Sequence, residues 1–220
     1  MSRKTAKIVV DAAMAVVLVA LMSTALVQAA PHEWLGVALF VLVGAHVVLN
    51  RRWVAAVPRL QYDALHVLRL VVLVGLVCCI VGLMASSLVI SKHAFGFLPV
   101  LPGAAWARRV HLMCSYWAFV LAFAHAGLHI RAPKSLSSNK AKAALVALVA
   151  CSCCGVFSFV QLGLWSYLTG QVQFAFVDTS VPLALSMARY ASVAVLVATA
   201  FCGIQRGLMA AKRRRRGRRS

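Results

Sequence analysis

Residues 70–91 read LVVLVGLVCCIVGLMASSLVIS and form an unbroken run of 22 uncharged residues between Arg69 and Lys92. An α-helix needs about 20 mostly apolar residues to cross a hydrocarbon core of about 30 Å. The run therefore predicts a membrane-spanning helix. Its apolar residues do not alternate with polar ones, which disfavours a strand of a membrane β-barrel.

Further apolar runs lie on both sides of this one. Together the runs predict six spanning helices, at about residues 8–30, 32–50, 65–90, 108–130, 143–166 and 182–205. We accordingly expect an all-α polytopic membrane protein. Its expected parts are a four-helix bundle over residues 1–131, two accessory helices over 132–205 and a basic cytoplasmic tail over 206–220.

The composition supports a membrane protein. Hydrophobic residues make up 63% of the chain and charged residues 12%, whereas a soluble domain has about 25% charged residues. A soluble enzyme, a secreted disulfide scaffold and a disordered chain are therefore disfavoured. The formal net charge of +19 is reminiscent of nucleic-acid binders. Because the cations lie in short clusters between apolar runs, we expect a lipid bilayer and no nucleic acid as partner.

The distribution of cations predicts the orientation. Of the 23 Lys and Arg residues, 19 lie at one set of helix ends, which includes both termini. Since cytoplasmic segments carry the excess of Lys and Arg, we expect both termini in the cytoplasm. Residues 1–30 have a basic start and an apolar run like a signal peptide, but the run exceeds the 7–15 residues typical of such segments. A retained helix is expected.

The histidines are confined to the first four predicted helices and the segments between them. They stand at positions 32, 46, 66, 93, 111, 125 and 129. Two pairs, His32/His46 and His111/His125, share a spacing of 14 residues. In a left-handed helix bundle this spacing makes four turns of 3.5 residues, so the two side chains share a face about 21 Å apart.

The second and fourth predicted helices run parallel because one crossing separates them. We therefore expect His32 to face His111 near the outer surface and His46 to face His125 near the inner one. Each pair would hold the iron of a b-type haem through imidazole nitrogens. Two axial histidines leave no open iron position, so such centres pass electrons. His129, one turn beyond His125, is the alternative inner ligand.

Other roles stay open at this point. Polar groups inside a membrane are costly and usually functional, but histidines also form hydrogen bonds between packed helices. Proton or metal transport by haem-free histidine pairs is a further alternative. Arg51 and Arg109 lie near helix ends where haem propionates would emerge, and interfacial anchoring is the alternative role for each.

Several short segments carry a family resemblance. They are HEWLG at residues 32–36, HVVLNRRW at 46–53, FGFLP at 95–99, RVH at 109–111, SYW at 115–117 and HAGLH at 125–129. Together they resemble the flavinylation-associated cytochromes, small bacterial membrane proteins related to di-haem b-type cytochromes. His93 departs from the family pattern.

The resemblance implies two haem b groups held by these histidines, in the bacterial cytoplasmic membrane. It also implies electron flow from the quinone pool to an extracytoplasmic FMN-bearing flavoprotein or reductase. The chain itself contains no flavin-attachment motif. The alternatives are a ferric-reductase-like haem protein and a haem-free proton or metal transporter. Whether the chain is an enzyme or an electron-transfer subunit of an oxidoreductase complex stays open.

Overall fold

The computed structural model describes residues 2–23, 30–57, 63–97, 99, 102–130, 138–175 and 180–217. In these ranges the chain is all-helical and has no strand. The helices are α1 (Arg3–Met22), α2 (Ala30–Ala56), α3 (Ala64–Ile90), α4 (Ala104–Gly127), α5 (Asn139–Gln161), α6 (Leu164–Leu168) and α7 (Leu183–Gly217). All but the short α6 are long and apolar enough to span a membrane. The predicted all-α fold with six spanning helices is confirmed. The predicted boundary at residues 131–132 lies outside the described ranges.

Local side chains define where several helices begin. Ser2, Asp63 and Ser138 each accept a hydrogen bond from a backbone N–H in the first turn of α1, α3 and α5. Such caps satisfy N–H groups that have no partner within the helix. Gly103 precedes α4 with φ 96°, a left-handed conformation that glycine adopts without steric cost.

The last helix extends beyond its predicted end. The sequence predicts a helix to about residue 205 followed by a basic tail, whereas α7 continues to Gly217. Lys and Arg are good helix formers, so a run of them prolongs a helix once it leaves the apolar layer. Lys212 Nζ lies 2.6 Å from Asp63 Oδ2 and ties this extension to the start of α3. The Lys212 ammonium and the His66 backbone N–H hold the pKa of the Asp63 carboxyl below its usual range.

The main buried cluster lies between α1, α4, α6 and α7. Its members include Tyr116, Phe119, Leu164, Tyr190 and Val193. The Tyr116 and Tyr190 hydroxyl oxygens are 3.4 Å apart, which links α4 to α7 inside the cluster. Because α4 also packs along α3, it is the central helix of the bundle. The helix predicted as accessory, α7, therefore packs directly against a histidine-bearing helix.

Two glycines allow α7 to approach its neighbours closely. A Cβ atom at Gly127 of α4 would collide with the Ala198 carbonyl oxygen, and one at Gly155 of α5 would collide with the Ser192 carbonyl oxygen. Small residues at such positions permit backbone-to-backbone packing in membranes, where helix association depends on close contact. Both neighbours of α7 are thus fixed at short distance.

Helix α2 is packed differently. None of its residues is buried, and its extensive helix contact is with α1. Along most of its described length it lies apart from α3 and α4. At Gly36 and Gly44 no heavy atom lies within 4 Å of the position that a Cβ atom would occupy. At these two positions α2 therefore has open space beside its backbone.

Candidate functional site

The rings of His32 and His111 meet across the space between α2 and α4. Their centroids are 6.3 Å apart and their planes are inclined by 62°. His32 stands in the first turn of α2, and His111 lies within α4. The structure thus brings together two histidines that the 14-residue spacing predicts to face each other.

Hydroxyl groups of α3 orient the His111 ring. His111 Nδ1 is 3.3 Å from Ser86 Oγ and 3.4 Å from Ser87 Oγ. The Ser86 hydroxyl donates its own proton to the Gly82 carbonyl oxygen at 2.7 Å, so its oxygen is free to accept one from the imidazole. This arrangement favours the tautomer with the proton on Nδ1 and leaves the Nε2 lone pair available to a metal.

The geometry of the His32–His111 pair fits two axial ligands of one iron. A metal–imidazole bond of about 2.0 Å and a nitrogen about 1.1 Å from its ring centre place two opposed ring centres about 6.2 Å apart. The observed separation is 6.3 Å. The inclination of the planes is compatible with ligation because each ring rotates about its own metal–nitrogen bond. His32 Nδ1 is a buried nitrogen without a partner among the described residues, unlike the bonded Nδ1 of His111.

The residue next to His32 anchors α2 to the end of α3. The Glu33 carboxylate accepts four hydrogen bonds, from the Ser91 hydroxyl at 2.6 Å and from the backbone N–H groups of Lys92, His93 and Ala94 at 3.0, 2.8 and 2.8 Å. The sequence places Glu33 inside the HEWLG segment without indicating this role. The four bonds fix the first turn of α2, and with it the position of His32.

We expect Glu33→Gln to destabilise the protein by about 2 kcal/mol, because an amide has one acceptor oxygen and its NH₂ group faces donors. The measurement is unfolding of the purified chain in denaturing detergent. Asp63→Asn is the control, since it also removes a bonded carboxylate but at the other end of α3, and its effect should be smaller. Equal unfolding midpoints for Glu33→Gln and the unsubstituted chain would contradict this role.

A second group of residues gathers at the other end of α2 and α4. We call it the Asp11 cluster, and it consists of Asp11, His46, His125 and His129. Asp11 Oδ1 of α1 is 2.6 Å from His46 Nδ1. His125 lies close enough to His129, His46 and Asp11 to interact electrostatically with each of them. The structure thus collects the predicted inner ligands, together with Asp11, for which the sequence predicts either a paired or snorkelled side chain near a helix end or a role in proton or quinol chemistry.

The two candidate ligands on α4 are close neighbours. The rings of His125 and His129 have centroids 4.5 Å apart. His129 Nδ1 donates to the His125 carbonyl oxygen at 2.9 Å, which leaves its Nε2 free, and its ring meets Trp53 edge-on at 5.8 Å. The rings of His46 and His125 are not in ring contact, unlike those of His32 and His111. Geometry alone therefore does not select between His125 and His129.

Three arginines near the helix ends differ in their surroundings. Arg51 and Arg109 are exposed and make no hydrogen bond with other described residues. Arg69 Nη2 donates to the Leu128 carbonyl oxygen at 2.8 Å, while its Nε is buried without a partner in the described ranges. Arg69 also interacts electrostatically with His125 and His129. In the sequence Arg69 is the cation that directly precedes the charge-free run 70–91, and this position is the signal that could have marked it.

Within the described residues, no group of three or more His, Cys, Asp and Glu side chains is arranged to hold a metal ion. Haem iron does not require such a group, because the porphyrin supplies four ligands and the protein supplies the axial ones. No family of known proteins, no curated protein and no solved structure matches this chain. The chain is a multi-pass helical membrane protein with histidines collected at both ends of α2 and α4.

Proposed function

We propose that the protein is a membrane-bound b-type cytochrome with two haems that relays electrons across the bilayer. The observation that carries this proposal is the His32–His111 pair, whose ring centroids lie 6.3 Å apart between helices that are otherwise separated. Helix packing alone does not require two imidazoles to approach each other between helices that make few other contacts. A planar cofactor bound through both rings would account for the pair and for the separation of α2 from α4.

In this proposal the histidines form two separate haem sites. His32 and His111 would hold one haem, and His46 with His125 or His129 would hold the other. When bound, the haems supply reversible one-electron iron chemistry. The protein's own groups fix the ring tautomers: the serine hydroxyls of α3 act on His111, and the Asp11 carboxylate acts on His46. Arg51, Arg109 and Arg69 provide cations for the propionates.

The direction of electron flow in this proposal is from the quinone pool to an extracytoplasmic FMN-bearing flavoprotein or reductase. It is supported by the family resemblance of residues 32–53 and 91–131. The bacterial cytoplasmic membrane, with both termini in the cytoplasm, belongs to the same proposal. The excess of cations at the helix ends that include both termini supports this orientation.

The direct test is a reduced-minus-oxidised absorption spectrum of the purified chain, followed by pyridine haemochrome quantification. We expect b-type bands and two haems per chain. A colourless protein that supports proton or metal transport in liposomes would overturn the proposal in favour of a transporter. Reduction of ferric chelates by the purified chain, without a flavoprotein partner, would favour the ferric-reductase-like alternative.

Asp11 supplies a second prediction about the haems. A carboxylate bonded to Nδ1 of a ligating imidazole increases the electron donation of that ring and stabilises the oxidised metal. We expect Asp11→Asn to raise the midpoint potential of one haem by about 60 mV, the equivalent of a tenfold change for one electron, and to leave the other unchanged. Redox titration followed by absorption measures both potentials.

Asp63→Asn is a matched control for Asp11→Asn. Asp63 also lies against a histidine, with Oδ1 2.8 Å from His66 Nδ1, but His66 is not assigned as a ligand. Both potentials should remain unchanged in this variant. If Asp11→Asn leaves both potentials unchanged as well, His46 does not ligate iron in the way proposed.

A further inference from the structure

A groove of about 480 Å³ lies between the start of α1 and the end of α2. Four cationic side chains line it: Arg3, Lys4, Lys7 and Arg52. The lining also includes the amide of Asn50 and the indole of Trp53. Sites for small molecules have volumes of about 300–1,000 Å³, so the groove is large enough for a ligand of modest size.

The positive charge of the groove is not balanced by the protein. No acidic residue lines it. The acids that the structure describes are bonded elsewhere: Asp11 to His46, Glu33 at the opposite end of α2, and Asp63 to Lys212. Four cations around one cavity repel each other and attract an anion. The groove therefore presents an anion site among the described residues.

Two of the cations also form the walls of the groove. Arg3 Nη2 donates to the Leu49 carbonyl oxygen at 3.0 Å, and Lys7 Nζ donates to Asn50 Oδ1 at 2.6 Å. These bonds fix α1 against α2. Lys4 and Arg52 are exposed and make no hydrogen bond with other described residues, so their donors are available to a ligand.

The position of the groove indicates the source of the anion. The spanning segments Arg3–Met22 and Ala30–Ala56 begin and end here, so the groove lies at the level of lipid headgroups. Trp53, 37% exposed, is a residue type that concentrates at this level. Val47, Val48 and Val54 are exposed on the same part of α2 and offer an apolar surface to an acyl chain.

We propose that this groove binds the phosphodiester headgroup of an anionic phospholipid. Lys4 and Arg52 contact the phosphate, Arg3 and Lys7 add positive charge from the wall, and the exposed valines of α2 contact an acyl chain. Basic pockets between spanning helices recognise anionic headgroups in this way. The proposal depends only on α1 and α2 and holds whether or not the protein binds haem.

The test is native mass spectrometry of the delipidated full-length chain with short-chain phosphatidylglycerol or phosphatidylcholine. The test variant is K4Q/R52Q, since neither residue bonds to the described protein. The matched control is K140Q/K142Q, which removes two exposed cations from the start of α5. We expect the unsubstituted chain to bind phosphatidylglycerol more tightly than phosphatidylcholine. The affinity for phosphatidylglycerol should fall at least about tenfold in K4Q/R52Q and less than about twofold in the control.

The proposal would be overturned by equal affinity for the two lipids, by equal loss in both variants, or by displacement of the lipid by millimolar inorganic phosphate. The last result would indicate a site for free phosphate instead of a lipid. Circular dichroism of each variant establishes that the helices are intact. An intact K4Q/R52Q variant that binds phosphatidylglycerol as the unsubstituted chain does would also overturn the proposal.

Discussion

Replacing His111 with alanine should reduce the haem content of the purified chain from two to one. Its ring lies opposite that of His32 with a centroid separation of 6.3 Å, so removal of either imidazole leaves the iron with one axial protein ligand. His32→Ala should therefore give the same result, and the double variant should lose no further haem. Pyridine haemochrome quantification against protein concentration measures the change, which is half of the total.

The control for this prediction is His93→Ala. His93 stands beside Glu33 but contacts it through its backbone N–H, which alanine retains. This variant should keep both haems and the spectrum of the unsubstituted protein. If His111→Ala also keeps both, the facing rings of His32 and His111 serve only to join α2 to α4, and the haem proposal loses its main support.

A loss of equal size is expected at the Asp11 cluster. His46→Ala should remove the second haem, because His46 is the ligand that α2 contributes at this end. On α4 the 14-residue spacing predicts His125 as its partner, so His125→Ala should lose one haem and His129→Ala should retain two. Retention of both haems in His46→Ala would refute the pairing.

The adjacent rings of His125 and His129 make the comparison of these two variants informative. If instead His129→Ala loses a haem, His129 is the ligand, consistent with its bonded Nδ1 and free Nε2. The 14-residue spacing would then not predict the ligand at this end of α4. His66→Ala is the control, since its ring is bonded to Asp63 at the start of α3. It should retain both haems.

Hydropathy made the spanning helices predictable, because a charge-free run of 22 residues such as 70–91 has few stable alternatives in a membrane. The approach of His32 to His111 was predicted from the 14-residue spacing within each of the two helices together with their parallel direction, which places both histidines at the same level. The Asp11–His46 bond was not, because the sequence does not indicate which neighbour a carboxylate near a helix end contacts. The hydrogen bonds of Glu33 depend on the path of the backbone after α3. The periodicity of apolar residues does not predict that path.

The neighbours of α7 could not be predicted from the pattern of apolar residues either. Apolar runs indicate that a helix spans the membrane but not which neighbour it selects, since lipid and protein are similarly apolar. Close contact decides that choice here, through Gly127 against Ala198 and Gly155 against Ser192. The continuation of α7 to Gly217 reflects helix propensity outside the membrane, where hydropathy carries no information.

The packing of α7 against α4 has a consequence for biogenesis. A chain emerges from the ribosome N-terminus first, at about 5–20 residues per second. Tyr116 therefore enters the membrane well before Tyr190, its partner 74 residues later. During that interval the future core face of α4 is covered by lipid or by the insertion machinery. The contact between α4 and α7 forms only when α7 is released.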